Sequence, residues 1–170
     1  MNFEEFELPN GIRCIFQSRN SEIVHIGLMI NAGARDETKE QDGLAHFIEH
    51  ALFKGTKKRK SYQILNRLEA VGAELNAYTT KEETCVYVSC LVADVPRSLD
   101  LIKDIVFESV FPAKELEKEK SVIIEEIQSY QDTPFEIVFD DFESHLFANH
   151  PLANNIPVSY THLTLPTIYS

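Results

Sequence analysis

Hydrophobic and polar positions alternate first with the period of a strand and later with that of a helix. From Ile23 to Asn31, Val24, Ile26, Leu28 and Ile30 form one apolar row, with His25, Gly27 and Met29 on the other side. That period of two predicts a half-buried strand. Upstream, Phe3 to Leu8 and Ile12 to Gln17 flank Pro9-Asn10-Gly11, a turn signal that predicts a hairpin. Past Gly33 and a polar loop the pattern becomes helical. Asp42 is the expected N-cap of a helix running to about Lys54 and closed by Gly55. Ser61 is the expected cap of a second, ending at Val71 with Gly72 as its stop. Two strands follow, Glu74 to Thr79 and Thr84 to Val92. Apolar residues at 95, 99, 102 and 106 mark a helix that ends before Pro112. A charge-rich helix spans Ala113 to Gln131, and Pro134 opens another that runs to about Asn149. This order predicts an α+β fold, a sheet with helices packed over one face. Tyr87, Phe107, Phe135 and Phe139 are expected in its core.

Composition narrows the function classes. The 170 residues are 44% hydrophobic and 25% charged, ordinary values for a globular domain with a real core. A formal net charge of −11 repels phosphates and anionic lipid, which argues against nucleic-acid and membrane partners. The basic run Lys57-Lys58-Arg59-Lys60 reads as a solvated loop. No apolar run approaches the ~20 residues of a membrane helix. Met1 to Glu5 has neither the basic nor the apolar region of a secretory signal, so the expected compartment is the cytoplasm. Cys14, Cys85 and Cys90 form no disulfide framework. Cys85 and Cys90, five apart on a strand, point to opposite faces and read, with Cys14, as reduced thiols.

The chemistry concentrates at His46-Phe47-Ile48-Glu49-His50. Residues four apart on a helix lie about 40° from each other around the axis, so both imidazoles can reach one ion. Glu49, three after the first His and one before the second, can reach a metal-bound water without ligating the metal. A shuffled chain of this composition carries the pattern roughly one time in fifty. The surrounding Leu44, Ala45, Phe47, Ile48, Ala51, Leu52 and Phe53 predict a buried helix, in which such groups need partners. A hydrogen-bonded core cluster is the alternative that the motif alone leaves open. Catalytic zinc usually keeps three protein ligands. On the helix from Ala113 to Gln131, Glu119 and Glu126 fall within the stripe of Leu116, Ile123, Ile127 and Tyr130, with Glu115 at its edge. Glu117 and Glu125 point elsewhere. Spacing does not choose between Glu119 and Glu126.

These residues resemble the pitrilysin-type zinc proteases, the inverted-motif family of processing peptidases and insulin-degrading enzymes. The similarity runs from about Phe6 to Ile156. It includes Ala34-Arg35-Asp36-Glu37, Gly43 to His50, Phe53-Lys54-Gly55-Thr56, Glu74 to Thr79, Val122 to Ile127 and His150-Pro151-Leu152. The resemblance implies an α+β domain with a mostly antiparallel mixed sheet and helices on one face, incomplete at its C-terminus. Residues 1–156 would be the N-terminal zinc-peptidase domain, and 157–170, which show no periodicity, a non-native tail. It implies one Zn²⁺ on His46, His50 and Glu126, Glu49 as general base, and Glu119 as support for a ligand His. Asn76, Ala77 and Tyr78 would lie on the edge strand that docks substrate.

The implied activity is endoproteolysis of peptides or unfolded polypeptides. The implied partner is a second domain of similar fold, or a separate subunit. Two further readings stand beside it: a non-catalytic peptide-binding or assembly subunit, and a fragment inactive without its second domain. His25, His145, His150 and His162 read as structural or peripheral.

Overall fold

The computed structural model describes residues 3–156. Its elements are β1 (Glu4–Glu7), β2 (Arg13–Phe16), β3 (Ile23–Ile30), α1 (Leu44–Leu52), α2 (Ser61–Glu69), β4 (Glu74–Thr79), β5 (Thr84–Leu91), α3 (Val95–Glu108), α4 (Ala113–Gln131) and α5 (Pro134–Leu146). Short 3-10 turns lie at Ala34–Asp36, Val92–Asp94 and Pro151–Ala153. The architecture is α+β. β1 and β2 form a separate hairpin, while β3, β5 and β4 form a sheet in that order. Every strand pairing among the described residues is antiparallel.

β5 is the middle strand of the larger sheet, and its alternation sets the two faces. Val86, Val88 and Cys90 point to one side, where they meet Leu52 of α1, Ile64 and Leu68 of α2, and Leu101, Ile102 and Ile105 of α3. Ile26, Leu28, Leu75 and Ala77 of the flanking strands pack against the same cluster. Leu101 is fully buried there. Leu101→Ala should therefore lower stability by about 2–5 kcal/mol in denaturant unfolding. A loss below ~0.5 kcal/mol, the surface range, would take Leu101 out of the core.

Several local details depart from the pattern. α1 is capped at Gly43, not Asp42, with Gly43 in the left-handed conformation at φ 83 that a Cβ would penalise. The capping groups come from further away, since Glu37 accepts from the Gly43 and Ala45 amides at 2.7 and 2.6 Å. α2 is capped at Lys60, whose amide donates to Gln63 Oε1 at 2.9 Å. On α3 the buried face is Ser98, Leu101, Ile102, Asp104 and Ile105, with Val95 and Val106 packed against the core, and of the expected apolar row only Leu99 is exposed. The buried Ser98 hydroxyl donates to the Asp94 carbonyl, so a polar position sits in the core with its bond satisfied inside the helix. Phe107, Phe135 and Phe139 are exposed rather than core, because no described element lies over them, and Tyr87 is half-buried.

The basic run after α1 does more than face solvent. Arg59 pairs with Asp104 and, at 2.6 Å, with Asp100, and the Thr56 hydroxyl donates to Asp104 at 2.8 Å. Lys57 pairs with Glu108 at 2.7 Å. This loop is thereby clamped onto α3. Asp104 is 2% exposed, so Asp104→Ala leaves Arg59 without its buried partner. The expected cost is about 3–5 kcal/mol by chemical denaturation. An unchanged midpoint would show that the clamp contributes nothing.

Among the described residues no helix is long and apolar enough to cross a membrane. The expectation of a non-native tail at 157–170 lies outside the described residues.

Candidate metal centre

α1 places His46 and His50 one turn apart on the same face. Their rings meet edge to face with centroids 4.7 Å apart, and the two Nε2 atoms are 3.2 Å apart. Glu126 reaches across from α4. Its Oε2 is 3.1 Å from His50 Nε2, and its Oε1 is 3.7 Å from His46 Nε2. One donor atom from each of the three residues lies within 4.8 Å of the others.

The donor set fits a zinc ion. At most one of two facing neutral imidazole nitrogens can donate a proton to the other, so the other presents only its lone pair. Two imidazole nitrogens and a carboxylate oxygen form a ligand set that zinc takes in catalytic sites. Burial holds His46 below the ordinary histidine range, and the nearby His50 adds to this, while Glu126 and Glu49 oppose it. His46 is accordingly neutral at neutral pH, as a ligand must be. Glu49 Oε2 is buried and has no hydrogen-bond partner.

The geometry separates the two carboxylates that spacing left equivalent. Glu126 lies with the Nε2 atoms, while Glu119 lies behind His50, its Oε1 2.9 Å from Nδ1. Glu119 is 8% exposed, as a position in the apolar stripe requires. Glu126 departs from that expectation, with its side chain 52% exposed. The buried residues of α4 are Glu119, Ile123 and Ile127, and Val122 is exposed as well. α4 is thus rotated so that the centre opens to solvent on the Glu126 side.

Two residues that matter here carry no role in the sequence reading. Glu37 pins the start of α1 through the two amides described above. Lys54, one turn past His50, places its Nζ 2.5 Å from Glu119 Oε2. Its partner Glu119 is distant in sequence, so no local spacing marked Lys54.

β4 packs against α1 and lies at the edge of its sheet, bonded only to β5 among the described strands. Asn76, Ala77 and Tyr78 are therefore on a strand with one open side. The Ala77 amide donates to Asn76 Oδ1 at 2.8 Å, so it is not committed to the β5 ladder. Tyr78 donates to Glu83 at 3.2 Å, and desolvation together with Cys85 and Glu83 pushes its hydroxyl up to about 12. Its hydroxyl is therefore protonated at neutral pH, as donation to Glu83 requires.

The remaining described histidines stand apart. His25 Nδ1 lies 2.9 Å from Ser89 Oγ, His145 donates to the Asp141 carbonyl, and His150 Nδ1 accepts the Leu152 amide at the last 3-10 turn. His162 lies outside the described residues. The three cysteines are free, with Cys85 and Cys90 buried on opposite sheet faces.

The chain resembles known proteins over most of its length. Residues 13–158 match the family described as Insulinase (Peptidase family M16). The chain is 37% identical over 163 residues to the zinc protease YmxG of Bacillus subtilis, an overlap of 95% of this chain and 39% of that protein. It is 37% identical over 149 residues to the mitochondrial-processing peptidase subunit beta of Caenorhabditis elegans, covering 88% of this chain and 32% of the other. Its fold matches the periplasmic protease PqqL from Escherichia coli with a TM-score of 0.87 at 25% identity, over 96% of this chain and 19% of that one. It matches a protease from Helicobacter pylori with a TM-score of 0.86 at 22% identity, over 94% and 39% of the two chains. The chain spans 39% or less of the length of these relatives. With a match that extends over most of its residues, the chain belongs to the insulinase family, peptidase family M16.

Proposed function

We propose that this chain is the zinc-holding, catalytic part of an endopeptidase that cleaves extended or unfolded polypeptides. One observation carries the reading: the Nε2 atoms of His46 and His50 converge with the Glu126 carboxylate, beside a buried Glu49 oxygen that has no partner.

In this reading His46, His50 and Glu126 hold one zinc ion per chain. When bound, zinc supplies Lewis acidity that polarises a scissile carbonyl and makes water easier to deprotonate. Glu49 takes a proton from the attacking water and passes it to the leaving amine. Glu119 accepts from His50 Nδ1 and keeps that ring aimed at the centre. Substrate lies along the open edge of β4 as an added strand, held by main-chain hydrogen bonds. The Asn76 side chain, which now takes the Ala77 amide, gives way to a substrate carbonyl there.

A second domain or a separate subunit completes the enzyme. The partial coverage of the relatives supports this, as does the one named as a subunit of mitochondrial-processing peptidase. So does the exposed apolar stripe Phe135, Val138, Phe139, Phe142 and Leu146 on α5. A non-catalytic reading has one observation in its favour. The fold matches a structure described as the peptidase M16 inactive domain from Pseudomonas fluorescens, with a TM-score of 0.86 at 19% identity. His46, Glu49, His50 and Glu126 together weigh against it here.

The test is hydrolysis of internally quenched peptides by the complete protein, before and after treatment with a zinc chelator. Activity should fall to background and return on adding zinc. Activity that survives metal removal would end the metallopeptidase reading.

A further inference from the structure

Glu119 is held from two sides, and only one of its holders has been given a role. Its Oε1 is 2.9 Å from His50 Nδ1, and its Oε2 is 2.5 Å from Lys54 Nζ. Glu119 is 8% exposed and Lys54 22%. A carboxylate this buried needs charged or hydrogen-bonding partners on its oxygens, and here each oxygen has one.

The base of the lysine arm is fixed as well. Gly55 bridges to Lys60, and Thr56 bridges to Ser109 at the end of α3. Arg59 then clamps the loop to Asp104 and Asp100. Lys54 thus reaches Glu119 from a loop tied to the rest of the fold, and its ammonium meets the carboxylate oxygen that His50 leaves free.

The contact between Glu119 and His50 Nδ1 bears on which nitrogen of His50 carries the proton. A neutral imidazole has one N–H, and the nitrogen without it is the one that can ligate. With Glu119 Oε1 accepting at Nδ1, Nε2 is left with its lone pair. Nε2 is the atom that faces His46 Nε2 at 3.2 Å and Glu126 Oε2 at 3.1 Å.

We propose that Lys54 is a positioning residue that, by orienting Glu119, fixes His50 as the Nδ1–H tautomer and presets Nε2 as a donor atom of the centre. The inference rests on the metal-site reading above and adds to it a residue that touches neither metal nor substrate. A lysine that only contributed a salt bridge would affect stability and leave the tautomer alone.

The test uses the full chain, ¹⁵N-labelled and metal-free, with long-range ¹H–¹⁵N correlation of the His50 ring. Zinc affinity is measured in parallel by competition with a chromogenic chelator. Wild type should show Nδ1–H. Lys54→Met should mix the tautomers and weaken zinc binding by about 10–100-fold. Lys54→Arg, which keeps the charge, should restore both. If the Met variant does not fold, Lys54→Gln should move both readouts in the same direction. A folded Met or Gln variant that keeps a pure Nδ1–H tautomer and wild-type zinc affinity would overturn the proposal. Wild type that binds no zinc, but loses its tautomer preference in Lys54→Met, would support the positioning role and sink the metal reading instead.

Discussion

Glu49→Gln should leave about one zinc per chain and lower kcat of the complete protein by about 10²–10⁴-fold, the usual contribution of a positioned general base. The substitution is nearly isosteric and removes only the capacity to take a proton. Glu49 lies on α1 between the two histidines, and its Oε2 has no partner that the amide would disrupt. The fold and the ligand set should therefore persist, and the thermal midpoint should move little. Metal analysis and steady-state kinetics on the same preparation separate the two effects. Retained turnover with normal zinc would remove Glu49 from the chemistry. Lost turnover together with lost zinc would make it a structural part of the centre.

The second large effect concerns the metal itself. His50→Ala and Glu126→Gln should each weaken zinc binding by more than the ~10–100-fold typical of changes behind a ligand. The two variants carry different information. His50→Ala also strands Glu119, whose Oε1 bonds to the lost ring, so part of its effect is structural. Glu126 is 52% exposed, and Glu126→Gln should change stability by no more than ~0.5 kcal/mol, as at other surface positions. Its effect on zinc therefore reads coordination rather than folding. Glu125→Gln, one position away and exposed, is the control and should bind zinc like wild type. Equal affinity in Glu126→Gln and wild type would put the third ligand elsewhere, with Glu119 next to examine.

Much of this arrangement is legible in the sequence alone. The bounds of α4 and β4 agree with the pattern because Pro112 and Gly72 stop or start the chain unambiguously. The period-two rows of β3 and β5 fix which residues share a face, and so place Cys85 opposite Cys90. What escaped was the relation between elements. A helical wheel puts Glu119 and Glu126 on one stripe, but the rotation of α4 against α1 decides which is buried and which meets the imidazoles. The Glu37 cap acts across a loop, where local capping rules do not look. Arg59 read as solvated because its partners, Asp100 and Asp104, are far away in sequence. The aromatic residues of α5 mark an apolar face, and periodicity says nothing about whether another element covers it.

The most direct test of the central claim is zinc K-edge X-ray absorption on the zinc-loaded protein. The account predicts only nitrogen and oxygen donors at ~2.0–2.2 Å, with the outer scattering of two imidazole rings. A sulfur shell near ~2.3 Å, or a single imidazole, would contradict a centre built from His46, His50 and Glu126.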